Sequence, residues 1–283
     1  MPRRWVEACR EMTSTTQAEA RGRTRGRAFG LGALAVVFWF AVWHIAAVMV
    51  GRDFLLASPW QVVRRLIQLL PTASFWSTVG WSLARIGVGF AAAAVVGAVL
   101  AATATASSVV RALLAPAIAA IRSAPVVSFI ILLLLWTDSS RLPALTAFLM
   151  VLPVTYATLW QGFAQRDVQL AHMAHVFAVP WLRRLWAIDV PALAPYAMAA
   201  CRSGVGLAWK AGIAAEVIGV ARGSIGEQMY QAKVFLESAD LFAWTAVVVT
   251  ASVVCERVVL WALGMLPGVR RGAQSGTRRA VAP

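Results

Sequence analysis

Six ionisable side chains stand inside otherwise apolar stretches of this chain: Arg122, Arg202, Lys210, Glu216, Glu256 and Arg257. A charge in hydrocarbon costs about 2.5–3.5 kcal/mol on translocon scales, so each calls for a partner, a water-filled path or an end that reaches the interface. Arg202 and Arg257 lie near the ends of their stretches and can snorkel to the headgroups, and Glu256 can pair with a charge on a neighbouring segment. Lys210 and Glu216 lie nearer mid-membrane. Six residues apart on a helix, they are separated by about 9 Å along the axis and about 120° around it, which rules out a one-turn ion pair. They line one wide cavity or bond to separate neighbours. Arg122 is followed by Ser123 and Pro125, and a proline removes a backbone donor and frees a carbonyl one turn earlier. A helix broken near the midplane is a common binding device in transporters. Arg122 and Lys210, with Glu216 and with Ser128 and Trp209 as wall residues, are therefore the expected lining of a basic path suited to an anion.

Other chemistries are less well served. His172-x-x-His175 lacks the glutamate and the four-residue spacing of a zinc protease helix, and the third histidine, His44, is far away in sequence. Arg222-Gly-Ser224-Ile-Gly lacks the first glycine of a nucleophile elbow. Cys9, Cys201 and Cys255 have no paired spacing, so neither a disulfide framework nor a zinc site is expected. There is no G-x-x-x-x-G-K-[ST] loop to hold nucleotide phosphates. The chain reads as a non-enzyme with no metal and no cofactor of its own.

The elements that must position these residues follow from composition. Of 283 residues, 60% are apolar and 13% charged, against roughly 45–50% and about 25% in soluble domains. Uncharged or nearly uncharged stretches cover Phe29–Val50, Ile86–Val110, Ala112–Trp136, Leu142–Gln165, Ala192–Val220 and Leu241–Met265. Each is near the roughly 20 residues a spanning helix needs, so six transmembrane helices are expected, with both termini on one side. The second stretch, with Gly87, Gly89, Gly97 and Ala91 to Ala94, has the small residues that let helices approach in lipid, and is expected among other helices. Fifteen of the 26 Lys and Arg fall in the tails and loops on the N-terminal side and seven on the other. The positive-inside bias therefore puts both ends in the cytoplasm. Residues 1–28 and 266–283 read as basic cytoplasmic tails flanking a transmembrane domain, 29–265. Of the formal charge of +14, +10 faces the cytoplasm and records orientation and +2 lies in the spans, so nucleic acid is not needed to explain it.

Three loops are longer than a connection requires. The outer segment Gly51–Arg85, with Pro59, Trp60, Arg64, Arg65, Pro71 and Trp76, suits a short amphipathic helix at the interface. The outer loop Ala221–Asp240 has a Gly223–Ser224 turn followed by Glu227, Lys233, Glu237 and Asp240, the composition of a polar lid or partner surface. In the cytoplasmic loop, about 166–191, a short helix over Val168–Phe177 is followed by Pro180. Proline suits the first turn of a helix, so a second helix over Trp181–Ile188 is expected, with Arg183 and Arg184 on its polar face.

This loop resembles that of the membrane subunits of binding-protein-dependent ATP-binding-cassette importers, which reads Glu-Ala-Ala, three residues, Gly, nine residues, then Ile-x-Leu-Pro. Counting back from Pro191, Val190 takes the Leu position, Ile188 the Ile, Ala178 the Gly, and His172-Met173-Ala174 the Glu-Ala-Ala. Leu-Ala-Ser-Pro59 with Val63, Ser82-x-x-Arg85-x-x-x-Gly89-Phe90, Arg122-Ser-Ala-Pro125 and Ala214-Ala-Glu216 are similar to the branch handling nitrate, sulfonates, taurine or bicarbonate. The resemblance implies an all-α permease of the type I ABC importer fold in a prokaryotic inner membrane. It also implies pairing across a two-fold axis, two ATPase subunits that hydrolyse the ATP, and an extracytoplasmic binding protein that delivers substrate. The loop, with His172, Met173, Ala174, Ala178, Arg183, Ile188 and Pro191, is then the helix that couples to the ATPase. Two alternatives remain open: an ion-coupled carrier, and a permease for a non-anionic solute such as a pyrimidine precursor.

Overall fold

The computed structural model describes residues 34–52, 54–166, 169, 173–174, 176–180, 183 and 185–265. Both expected tails and His172 lie outside the described residues. Among the described residues there are helices and turns and no strand. The helices are α1 (Leu34–Val50), α2 (Pro59–Leu69), α3 (Ala73–Ala106), α4 (Ser108–Ser123), α5 (Val126–Leu134), α6 (Leu142–Ala164), α7 (Val190–Gly219), α8 (Ile225–Val234) and α9 (Ser238–Met265).

Length and composition let α3, α6 and α9 each cross a bilayer, and α4 with α5 form a pair bent by 99° that is either a fourth span or a re-entrant segment. The stretch read as one span over 112–136 is therefore broken. Ala124 and Pro125 are extended there, with ψ of 139° and 136°, because proline disfavours helical geometry in the residue before it. The 30 residues of α7 extend about 45 Å, and they carry Arg202, Lys210 and Glu216.

Helix α3 begins thirteen residues before the expected start at Ile86. Hydropathy alone ends the span at Arg85, but the helix runs through because its polar side chains are satisfied: Ser82 bonds to Glu216, and Arg85 donates to the Arg222 carbonyl at 3.1 Å. At the other end Thr72 caps the helix by accepting from the Phe75 amide at 3.4 Å. The small residues of α3 are buried on one face only, through Ile86, Gly89, Ala93, Gly97, Ala101 and Ala104, while Val88, Val95 and Val99 are exposed. Such an apolar outer face suits hydrocarbon and would be costly in water.

The core lies where α6 packs between α3 and α7, through Ile86, Ala147, Val151, Val205, Ala208 and Ile213. At the closest approach, a Cβ on Gly89 would stand 2.1 Å from the Ala144 carbonyl oxygen, so only glycine fits. The expected interfacial helix in 51–85 is α2. Its N-cap Ser58 exchanges hydrogen bonds with Gln61, the Ser58 amide donating to Gln61 Oε1 at 2.8 Å, a capping box followed by proline at the first helical position. Arg65 of α2 makes a bidentate pair with Asp240 at the start of α9, with Nη2 to Oδ2 at 2.8 Å. Trp43 of α1 leans on Phe242 of α9, ring centroids 5.5 Å apart.

Between α6 and α7 the expected two-helix loop is only partly separate. Its second helical part ends in a π-helical turn, Leu185–Asp189, that runs without a break into α7. Pro191 sits in the first turn of α7, directly after the π-helical turn, and so does not part loop from span.

Candidate functional site

Two constellations arise from this architecture. The first is a buried carboxylate. Glu216 is fully buried near the end of α7, where its Oε2 accepts from Ser82 Oγ of α3 at 2.8 Å and from the Gly226 amide of α8 at 3.2 Å. Ser82 Oγ in turn accepts from the Ile225 amide at 2.9 Å. Helix α8 thus points its first N–H groups at the carboxylate, satisfying donors that lack partners within the helix. The close approach needs glycine at 226, since a Cβ there would lie 2.2 Å from Glu216 Cβ. Oε1 of Glu216 is buried and has no hydrogen-bond partner among the described residues.

The other residues expected along a path are dispersed. Trp209 is buried in the main core, whereas Lys210 on the next position of α7 is exposed. Arg122 and Ser123 are exposed at the end of α4, and Ser128 is exposed on α5 beyond the break. Glu216 is buried and Lys210 exposed, so the two face different surroundings. Arg202 of α7 pairs with Glu256 of α9, Nε to Oε1 at 3.0 Å, and Arg257 is exposed.

The second constellation is the loop 166–191. Ala174 is buried, while Met173, Val176 and Phe177 are 49%, 79% and 74% exposed. Their i, i+3, i+4 spacing puts them on one helical stripe. The stripe ends at Ala178, whose φ of 45° is left-handed, and the Val179 amide donates back to the Ala174 carbonyl at 3.0 Å. That conformation is the one glycine adopts without strain at a helix end, and 178 is the position the loop motif gives to glycine. Arg183 is exposed, Ile188 and Pro191 are half-buried and Asp189 is buried. Arg166 Nη1 pairs with Asp189 Oδ1 at 3.3 Å, closing the loop at its base, and the Arg166 guanidinium lies 4.3 Å from the Phe163 ring centroid.

Neither the Val176–Phe177 surface nor the Arg166–Asp189 pair is singled out by the sequence motif. The surface could have been found from its i, i+3, i+4 spacing with Met173. The pair had no local signal, because its members are 23 positions apart. Among the described residues no group of three or more His, Cys, Asp or Glu could hold a metal.

Several apolar helices long enough to cross a bilayer, with a short, partly apolar loop exposed between α6 and α7, define a multi-pass membrane protein. The model for binding-protein-dependent transport system inner membrane components matches residues 93–266, and the chain belongs to that family. The sequence resemblance to ABC importer permeases is thereby confirmed, as is the location in the inner membrane. The chain is 25% identical over 235 residues to the taurine transport system permease protein TauC of Escherichia coli (strain K12), covering 80% of this chain and 84% of that protein. It is 24% identical over 246 residues to the putative aliphatic sulfonates transport permease protein SsuC of Bacillus subtilis (strain 168), covering 84% and 87%. With the formylaminopyrimidine transport permease protein ThiX of Halalkalibacterium halodurans it shares 27% identity over 169 residues, covering 59% and 67%.

Proposed function

We propose that this chain is the six-span permease subunit of an ABC importer that moves a small organic or inorganic anion, such as a sulfonate, taurine or nitrate, inward. Both termini are cytoplasmic, two copies pair across a two-fold axis, two ATPase subunits supply the energy, and an extracytoplasmic protein delivers the solute. The chain itself binds no nucleotide and no metal. Loop 166–191 is the coupling helix, and Arg122, Ser128, Trp209, Lys210 and Glu216 belong to the translocation path or its walls.

The observation that carries the reading is the exposed Met173, Val176 and Phe177 stripe on a loop whose turn has its left-handed residue at the motif's glycine position. Apolar side chains on a short loop between spans gain from burial in a partner groove. Two surface segments continuous with α6 and α7 also give a partner a lever on the bundle. The test is co-purification of the tagged chain with its ATPase from native membranes. Phe177→Asp is expected to release the ATPase while the permease stays inserted and monodisperse. Uptake that persists without any ATPase but collapses with the proton gradient would instead mark an ion-coupled carrier.

A second substrate reading is favoured by the ThiX relative, whose name gives formylaminopyrimidine as cargo. Uptake measured side by side with taurine and with a formylaminopyrimidine separates the two. Normal taurine uptake by Arg122→Gln and Lys210→Gln variants that assemble with the ATPase would remove those side chains from the path.

A further inference from the structure

One cavity is used by none of these readings. It lies where α3 faces the turn before α6, at the end of the bundle assigned to the outside by the charge count. Its volume is about 520 Å3, and its walls include Trp81, Arg85, Thr137, Ser140, Arg141 and Leu145, a size in the usual range for small-molecule sites.

Its polar groups are of one kind. Arg85 donates from Nη2 to the Arg222 carbonyl at 3.1 Å and lies 5.9 Å from the Trp81 ring centroid, so the guanidinium is held at a fixed angle. Its Nη1 is buried and has no hydrogen-bond partner among the described residues. Arg141 is exposed and has no ion pair among the described residues. The hydroxyls of Thr137 and Ser140 complete a set of donors. No carboxylate is in this wall: Asp138 lines an adjoining cavity with Arg141, and Glu216, on which the Arg85 charge acts, is sealed behind Ser82. The exposed Arg141, with no side-chain partner for its planar N–H fork among the described residues, matches an oxyanion in charge and geometry, and Arg85 adds a second positive charge beside it, while Trp81 and Leu145 suit a short apolar remainder.

We propose that this cavity is a receiving site for the oxyanion head of a small solute, with Arg85 and Arg141 as the charged clamp and Thr137 and Ser140 as further donors. The assignment rests on the importer reading for its purpose, but its chemistry is tested on the chain directly. The proposal also moves the first basic contact of the solute from Arg122 and Lys210 to the outer end of α3 and α6.

The test uses the assembled complex in lipid nanodiscs, with Cys9, Cys201 and Cys255 replaced by alanine and Ser140→Cys introduced. The thiol is labelled with two methanethiosulfonates of similar size, one carrying a sulfonate and one a trimethylammonium. In each case the thiolate attacks the thiosulfonate sulfur, a mixed disulfide forms and methanesulfinate leaves. At low salt the sulfonate reagent is expected to react at least about tenfold faster, after correction for the ratio seen with a free thiol, because two neighbouring positive charges concentrate anions. Millimolar methanesulfonate slows that labelling, and Arg85→Gln with Arg141→Gln returns the ratio to the free-thiol value. Should Arg85→Gln fail to assemble, Arg141→Gln alone must still lower the ratio. A free-thiol ratio in the parent, or a preference unchanged by loss of the arginines, overturns the site. ATP-dependence of uptake is measured separately, so loss of the importer reading and loss of the site are told apart.

Discussion

The hydroxyl of Ser82 on α3 donates to Glu216 on α7 at 2.8 Å, across 134 positions of sequence, and the same oxygen accepts from the first amide of α8. Three helices are thereby joined at one buried carboxylate. This gives Glu216 a structural task whether or not solute passes nearby. Ser82→Ala is expected to destabilise the bundle by about 1–3 kcal/mol, the cost of leaving buried polar groups unsatisfied. Gly226→Ala is expected to be worse, since its Cβ would meet Glu216 Cβ at 2.2 Å and the Glu216 carbonyl carbon at 2.5 Å. Thermal unfolding in detergent micelles checks both, and an unchanged midpoint for Ser82→Ala would remove the three-helix junction from the account.

Ala178 occupies a left-handed turn with φ of 45°, where a side chain costs roughly 1–2 kcal/mol that glycine avoids. Ala178→Gly therefore is expected to stabilise the loop by about 1 kcal/mol, less the added entropy of the unfolded chain. Ala178→Val is expected to loosen it, because β-branched residues tolerate this region least. Amide hydrogen exchange at Phe177 and Val179 reads the effect locally; slower exchange in the valine variant would contradict it.

The Arg65–Asp240 pair hooks α2 to α9 outside the spans. Its hydrogen bond to Asp240 raises the Arg65 pKa, opposed by partial burial and aided by the charges of Asp240 and Glu237. A basic group raised on folding adds stability that is complete below its unfolded pKa and lost only as pH climbs through the folded one. The guanidinium share of this hook is thus constant across the neutral range and disappears only in strong alkali. Arg65→Lys loses the bidentate geometry and keeps the charge. Accelerated cross-linking or proteolysis between residues 59 and 72 in the lysine variant, at constant pH, is the expected readout.

The features legible in the sequence are those whose chemistry is local. Ser58 before Pro59 announces the capped start of α2, Pro125 announces the 99° bend, and counting ten positions back from Ile188 locates Ala178 at its turn. What could not be read is pairing across the fold. Arg85 marks the end of a span by hydropathy, yet α3 continues through it because its acceptor is the carbonyl of Arg222. Gly226 carries no signal as a contact of Glu216 until α8 folds back on α7. The spacing of Lys210 and Glu216 correctly separates them by a third of a turn, but spacing alone does not say that one is exposed and the other buried. Likewise α4 and α5 read as one span by composition, and their number as crossings depends on a bend that hydropathy does not weigh.

Arg166 and Asp189 close the base of loop 166–191 at 3.3 Å, with half-buried Arg166 also against Phe163. Under the proposed coupling role, a force on the loop would reach α6 and α7 together only while this base is shut. Arg166→Gln and Asp189→Asn singly are each expected to lower uptake per ATP hydrolysed, while ATPase binding through the Phe177 surface is retained. The double variant is expected to fall less than the sum of the two, since each single change leaves one charge without its counter-ion. A coupling energy on the order of 1 kcal/mol lies within the range for charged side chains in direct contact. The measurement is a double-mutant cycle on uptake and ATP hydrolysis in proteoliposomes. Additive losses with an unchanged ratio of uptake to hydrolysis would show that the pair only holds the loop in place.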